Sequence, residues 1–97
     1  MNAAETILNQ LGGNKFVAMT GSKNFINTGK GLQMNLSKNN AKAKFLRIEL
    51  TEMDLYSMTF YSLNKEYKME TKKEVEAVYA NQLNNIFEKV TGLITKF

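Results

Sequence analysis

Histidine and cysteine are both missing from this 97-residue chain. Their absence removes imidazole acid–base chemistry, thiol nucleophiles, disulfides, and the nitrogen and sulfur ligands on which zinc sites depend. No run of about 18 apolar residues exists, so no membrane-spanning helix is expected. Proline is also absent, which leaves no rigid linker between separate units. At this length one small core is expected over residues 1–97, and a cofactor-binding module with a separate substrate domain is excluded. Neither a cofactor nor a metal is expected, and the chain does not read as an enzyme.

What is present is ordinary for a folded protein: 43% hydrophobic and 23% charged residues. The charge is unevenly placed. Lys15, Lys23, Lys30, Lys38, Lys42, Lys44 and Arg47 follow one another with no Asp or Glu between them, whereas acids outnumber lysines from Ile48 onward. The net charge of +4 therefore resides in the middle third of the chain. Asparagine- and lysine-rich codon usage would produce a similar bias, so the segregation by itself does not define a partner. The first helix candidate lacks the basic start and long apolar centre of a signal peptide, and a cytoplasmic location in a host cell is expected.

Asn2, followed three residues later by Glu5, can cap a helix whose Ala3, Ile7, Leu8 and Leu11 share one face, with Gly12-Gly13 as its stop. Lys15 to Thr20 reads as a short covered strand, and Gly21 to Gly31 as a loop or long hairpin connection with Phe25 and Ile26 tucked against the body. Leu32, Met34 and Leu36 then alternate with polar neighbours, as do Leu46, Ile48 and Leu50, and Tyr56, Met58 and Phe60. Tyr67 to Glu70 offers a short fifth strand. Thr71-Lys72-Lys73-Glu74 has the form of a capping box, and Val75, Val78, Tyr79, Gln82, Leu83, Ile86, Phe87 and Val90 form a helical stripe that Gly92 ends. The expected architecture is α+β: an antiparallel meander of four to five strands, a short N-terminal helix, and a long C-terminal helix packed on one sheet face.

Candidate chemistry is sparse. Gly29-Lys30-Gly31 lacks the spacing of a phosphate-binding loop, because Asn24 stands where its first glycine belongs and Gly31 where Ser or Thr follows the lysine. Glu49, Glu52 and Asp54 are close in sequence, but the last two fall in a turn where acids are common for local reasons. The outward sheet face is richer. It combines Gln33, Asn35, Phe45, Arg47, Ser57, Thr59 and Tyr61, with Lys38, Lys42 and Lys44 in the adjoining loop. Cations that follow phosphates, beside aromatics on which bases stack, are what single-stranded nucleic acid requires. The same residues also suit a plain wetted sheet face with aromatics chosen for strand propensity.

The stretches Leu11-Gly12-Gly13-Asn14-Lys15-Phe16, Met19-Thr20-Gly21-Ser22-Lys23-Asn24-Phe25, Val78-Tyr79-Ala80 and Val90-Thr91-Gly92-Leu93 resemble a family of small hypothetical proteins of bacteriophages and mobile elements. The resemblance implies a phage origin. It carries no established activity and transfers no functional residue. The order of strands and final helix is also similar to the unit of Whirly-type single-stranded DNA-binding proteins, whose basic glycine motif is not recognisable here.

Two functions are weighed on these grounds. In the first, a non-enzymatic phage protein binds single-stranded nucleic acid through the basic segment from Lys15 to Arg47: Lys23, Lys30, Lys38, Lys42 and Lys44 neutralise phosphates, Arg47 stacks or pairs, and Phe45 and Tyr61 are base platforms. In the second, an anti-defence inhibitor such as an anti-CRISPR protein blocks a host nuclease or another host protein. The apolar tail of Leu93, Ile94 and Phe97 leaves a homodimer open in either case.

Overall fold

The computed structural model describes residues 2–95. In chain order they form helices α1 (Ala3–Leu11) and α2 (Asn14–Thr20), strands β1 (Lys23–Asn27), β2 (Gly31–Asn35), β3 (Phe45–Leu50), β4 (Tyr56–Leu63) and β5 (Met69–Val78), a 3₁₀ turn (Ala80–Gln82), and helix α3 (Leu83–Thr91). The strands build one antiparallel sheet in their sequence order, β1-β2-β3-β4-β5. The α+β class and the meander are as the alternation of apolar residues implies. No helix among the described residues is long and apolar enough to cross a membrane.

Helix α1 starts where its cap residue dictates: the Asn2 Oδ1 accepts the Glu5 amide at 2.8 Å, a bond typically worth about 1 kcal/mol. Ile7 and Leu11 are its fully buried positions. The next segment departs from expectation, because Asn14 to Thr20 is helical rather than extended. The reason lies in tertiary contacts. A helix places Phe16 and Thr20 one turn apart on a single buried face, and the Phe16 ring meets Phe87 of α3 edge-on at 5.0 Å between centroids. A strand would have turned these two residues and the exposed Ala18 to one side together. Gly21 to Gly31 is likewise more ordered than a loop, since it contains β1 and a tight turn; Phe25 does pack against the core, whereas Ile26 is exposed.

The largest correction concerns Thr71 to Val78. No capping box forms there; these residues continue β5, and the final helix is confined to Leu83–Thr91. Val75 and Val78, three apart, share a face in a helix but lie on opposite faces of a regular strand. A β-bulge removes the conflict: Ala77 adopts φ +56, and the pairings Met58↔Val75 and Tyr56↔Val78 both hold, so two residues of β5 oppose one of β4. Both valines then point inward, Val78 being fully buried. Pairing with the eight-residue β4 outweighs the local helical preference of a Lys- and Glu-rich segment.

The core forms on one side of the sheet. Leu32, Met34, Leu46, Ile48, Met58 and Phe60 are buried together with Ile7, Leu11, Phe16, Leu83 and Phe87 from the helices. The opposite face carries the alternate residues Gln33, Asn35, Phe45, Arg47, Ser57, Thr59 and Tyr61, as their register requires. Strands β2 and β3 approach closely at Gly31, where an added Cβ would overlap the Ile48 carbonyl and stand 2.7 Å from the Glu49 Cα. Backbone cannot yield there as a flexible side chain could. Gly31→Ala should therefore destabilise the protein by about 3 kcal/mol or more, read as a fall in the urea midpoint. Gly29→Ala, at φ +96 but with open space around it, should cost only about 1 kcal/mol.

Candidate functional site

Consider the end of the sheet at which β2 stops and β3 begins. Asn35 pairs with Phe45 and Phe45 with Tyr61, so three side chains form one row across the outer face. The Phe45 and Tyr61 rings stack at 5.2 Å with their planes 25° apart, a cross-strand pair of the kind that contributes about 0.5–1.5 kcal/mol beyond burial. One row away, the Arg47 guanidinium lies 5.4 Å from the Tyr61 centroid. It also donates from Nε and Nη2 to Gln33 Oε1, at 3.3 and 3.1 Å. Gln33 and Tyr61 thus fix the guanidinium from two sides, and its remaining N–H groups stay available to a planar acceptor such as a phosphate.

The connection from Ser37 to Lys44 folds back over this end of the sheet, and its backbone is tied down. Asn39 donates from Nδ2 to the Ser37 and Ala43 carbonyls at 2.8 and 2.7 Å, and its Oδ1 accepts the amides of Ala41 and Ala43. Ser62 on β4 donates to the Lys42 carbonyl and accepts the Lys44 amide. The Asn40 amide reaches the Thr91 carbonyl at the end of α3, and the Ser37 hydroxyl bonds the Thr20 carbonyl at 2.6 Å. Lys42 sits at φ +58, a conformation that costs an L-residue roughly 1–2 kcal/mol and that this network sustains.

The result is an open groove of about 550 Å³ between the loop and the sheet edge. Lys23, Lys38, Lys42 and Lys44 line it, with Asn35, Ser37 and Asn39 as polar neighbours and Leu36, Ala43 and Phe45 as apolar surface. No acid lines it. Among the described residues, none of these four exposed lysines enters an ion pair. Four uncompensated ammonium groups around one concavity focus positive potential there.

Not every expected residue joins this cluster. Lys30 lies in the β1–β2 turn at the other end of the sheet, about 14 Å along a five-residue strand, where it shares a groove with Glu49 and Glu52. Lys15 is on α2 and is not part of the groove. Tyr61 is only 5% exposed beneath Phe45 and Arg47, so it is a support for those two side chains and not an open platform. Phe45, half-buried and facing the groove, is the accessible aromatic. Conversely, neither charge nor alternation marks Asn39, whose side-chain bonds to two loop carbonyls and two loop amides set the lysines' backbone positions. Its place in the Ser-Lys-Asn-Asn turn stretch was the available signal.

The rest of the surface offers less chemistry. The acids at the far end, Glu49, Glu52 and Glu76, line two shallow grooves, and no cluster suited to a metal ion is found among the described residues. Of the apolar tail, Leu93 is half-buried, Ile94 is 61% exposed, and Phe97 lies outside the described residues. Against protein-family models, curated proteins and solved structures the chain finds no match.

Asn39→Ala should remove two donors and two acceptor bonds from the loop at once. The expected consequence is a loss of about 1–3 kcal/mol together with faster hydrogen exchange at the Ala41 and Ala43 amides, while the Leu46 amide in the sheet keeps its protection.

Proposed function

We propose that this protein binds single-stranded nucleic acid, with phosphates held over the Lys23, Lys38, Lys42 and Lys44 groove and a base laid on the exposed part of Phe45. The observation that carries the reading is the convergence of four unpaired lysines on one acid-free groove bordered by an aromatic ring. Arg47, held by Gln33 and Tyr61 one row from Phe45 on the outer sheet face, supplies a fifth cation. Because the helices occupy the other face, a strand can run across the sheet without displacing any element. The apolar surface of the groove favours unstacked bases over a duplex, whose bases are turned inward, and no helix of this fold carries a basic recognition face. A phage setting, implied by the sequence resemblance, would suit such a protein in replication.

Titration of a short fluorescein-labelled oligothymidylate, followed by anisotropy at several salt concentrations, tests this. Each neutralised phosphate contributes about −0.7 to the logarithmic salt slope for a single strand, so five cations give roughly −3.5. Phe45→Ala should weaken binding by about 1–3 kcal/mol with the fold intact. Lys38→Glu combined with Lys42→Glu should abolish most of the affinity, whereas Lys30→Glu, which removes charge at the distant end, should change little. Equal losses from the groove pair and from Lys30 would reduce the interaction to net charge and contradict the site. Nuclease-resistant recovery of one stoichiometric host protein, with no oligonucleotide binding, would favour the inhibitor reading.

A further inference from the structure

The tip of the β4–β5 hairpin displays an exposed aromatic residue on left-handed backbone. Asn64 and Lys68 close a three-residue loop: the Asn64 amide donates to the Lys68 carbonyl at 2.9 Å, and the Tyr67 amide to the Asn64 carbonyl at 2.9 Å. The Asn64 Oδ1 accepts the Glu66 and Lys68 amides. A loop of this kind places its last residue in the left-handed region, a position that glycine normally fills. Here it holds Tyr67 at φ +61. The residue is also 84% exposed, so the unfavourable conformation of a bulky side chain is not offset by burial. An aromatic ring is thus displayed to water at the hairpin tip, on left-handed backbone that the loop's own hydrogen bonds sustain.

Its surroundings connect it to the groove. The register Tyr61↔Thr71, Ser62↔Glu70, Leu63↔Met69 runs without interruption, so Leu63 and Met69 lie on the same face as Tyr61 and Phe45, one row nearer the tip. Both are exposed, at 42% and 47%. An apolar strip therefore leaves the Phe45–Tyr61 stack and leads towards Tyr67, while Ser62 ties this hairpin to the lysine-bearing loop. Lys65 and Lys68 flank the tip, and Glu66 is paired with Lys68 at 3.8 Å.

Resting on the strand-binding reading above, we infer that Tyr67 is a second base-stacking residue for the same single strand, displayed by the hairpin beyond the lysine groove. A strand whose phosphates lie over the groove would pass along Leu63 and Met69 and place a further base on the Tyr67 ring. The predicted sign of the effect separates this role from a structural one. Tyr67→Gly removes the ring and also relieves the left-handed conformation.

Full-length wild type, Tyr67→Gly and Tyr67→Phe are compared for thermal midpoint and for affinity to a fluorescein-labelled oligothymidylate long enough to reach from groove to tip. Tyr67→Gly should lose about 5- to 150-fold in affinity with a thermal midpoint unchanged or raised, and Tyr67→Phe should bind within about twofold of wild type, since stacking needs the ring and not the hydroxyl. Shortening the oligonucleotide until it covers only the groove should equalise all three. If wild type binds and Tyr67→Gly binds equally well, this inference fails while the groove reading stands. If Tyr67→Gly loses stability along with affinity, the residue is structural and the inference fails too. A wild type that ignores the oligonucleotide overturns the groove reading and this one with it.

Discussion

The constraint on which everything else rests is the one-sided burial of the sheet. Helices α1, α2 and α3 all drive their apolar residues into the same face, with Phe16, Phe60 and Phe87 meeting at its centre. A period-two strand has to present its other residues somewhere, and here they go to a face that no helix of the described residues covers. The polar and aromatic set from Gln33 to Tyr61 is therefore displayed as a direct consequence of how the core closes. Were a helix to cross it, Arg47 would be buried with only part of its donors satisfied, an outcome that folding avoids.

Display alone does not make a site; order does. The lysines of the β2–β3 connection would serve the proposed site because Asn39, Ser62 and the Thr91 carbonyl hold the backbone that carries them. Long cationic side chains keep their own mobility, but their anchor points do not wander, so less entropy is lost when an anion gathers them. The same logic applies to the stack: Tyr61, nearly inaccessible, holds Phe45 on one flank and Arg47 on the other. A residue proposed on sequence as a contact thus becomes the support for two contacts. Charge is also polarised along the sheet, with the lysine groove at one end and Glu49, Glu52 and Glu76 at the other, which gives an approaching polyanion a preferred orientation.

Much of this was legible in the chain. Strands β2, β3 and β4 announce themselves by alternation, because one wet face and one dry face impose a two-residue period. That grammar also assigns the outer-face residues correctly. Two elements were not legible, for the same reason. Lys15 to Thr20 and Thr71 to Val78 are short segments whose local patterns suit either state, and tertiary partners decided them: Phe87 drew Phe16 into a helix, and β4 drew Val75 and Val78 into a bulged strand. Within the candidate site, proximity in sequence misled for Lys30. Charge segregation records which residues are near one another along the chain, whereas the turn after β1 carries Lys30 to the opposite end of the sheet. Tyr67 reads in the sequence as the start of a fifth strand, because nothing in its neighbourhood reveals a left-handed backbone; it lies in the turn, and β5 begins only at Met69.

The central claim is that the outer face and its lysine loop form one binding surface. Its most direct test is backbone-amide chemical-shift mapping of isotope-labelled protein during titration with unlabelled oligothymidylate. The account predicts saturable shifts concentrated at Lys23, Lys38, Lys42, Lys44, Phe45 and Arg47, with α1, α3 and the turn at Lys30 unmoved. Shifts confined to the helical side, or spread evenly over every exposed lysine, would contradict it.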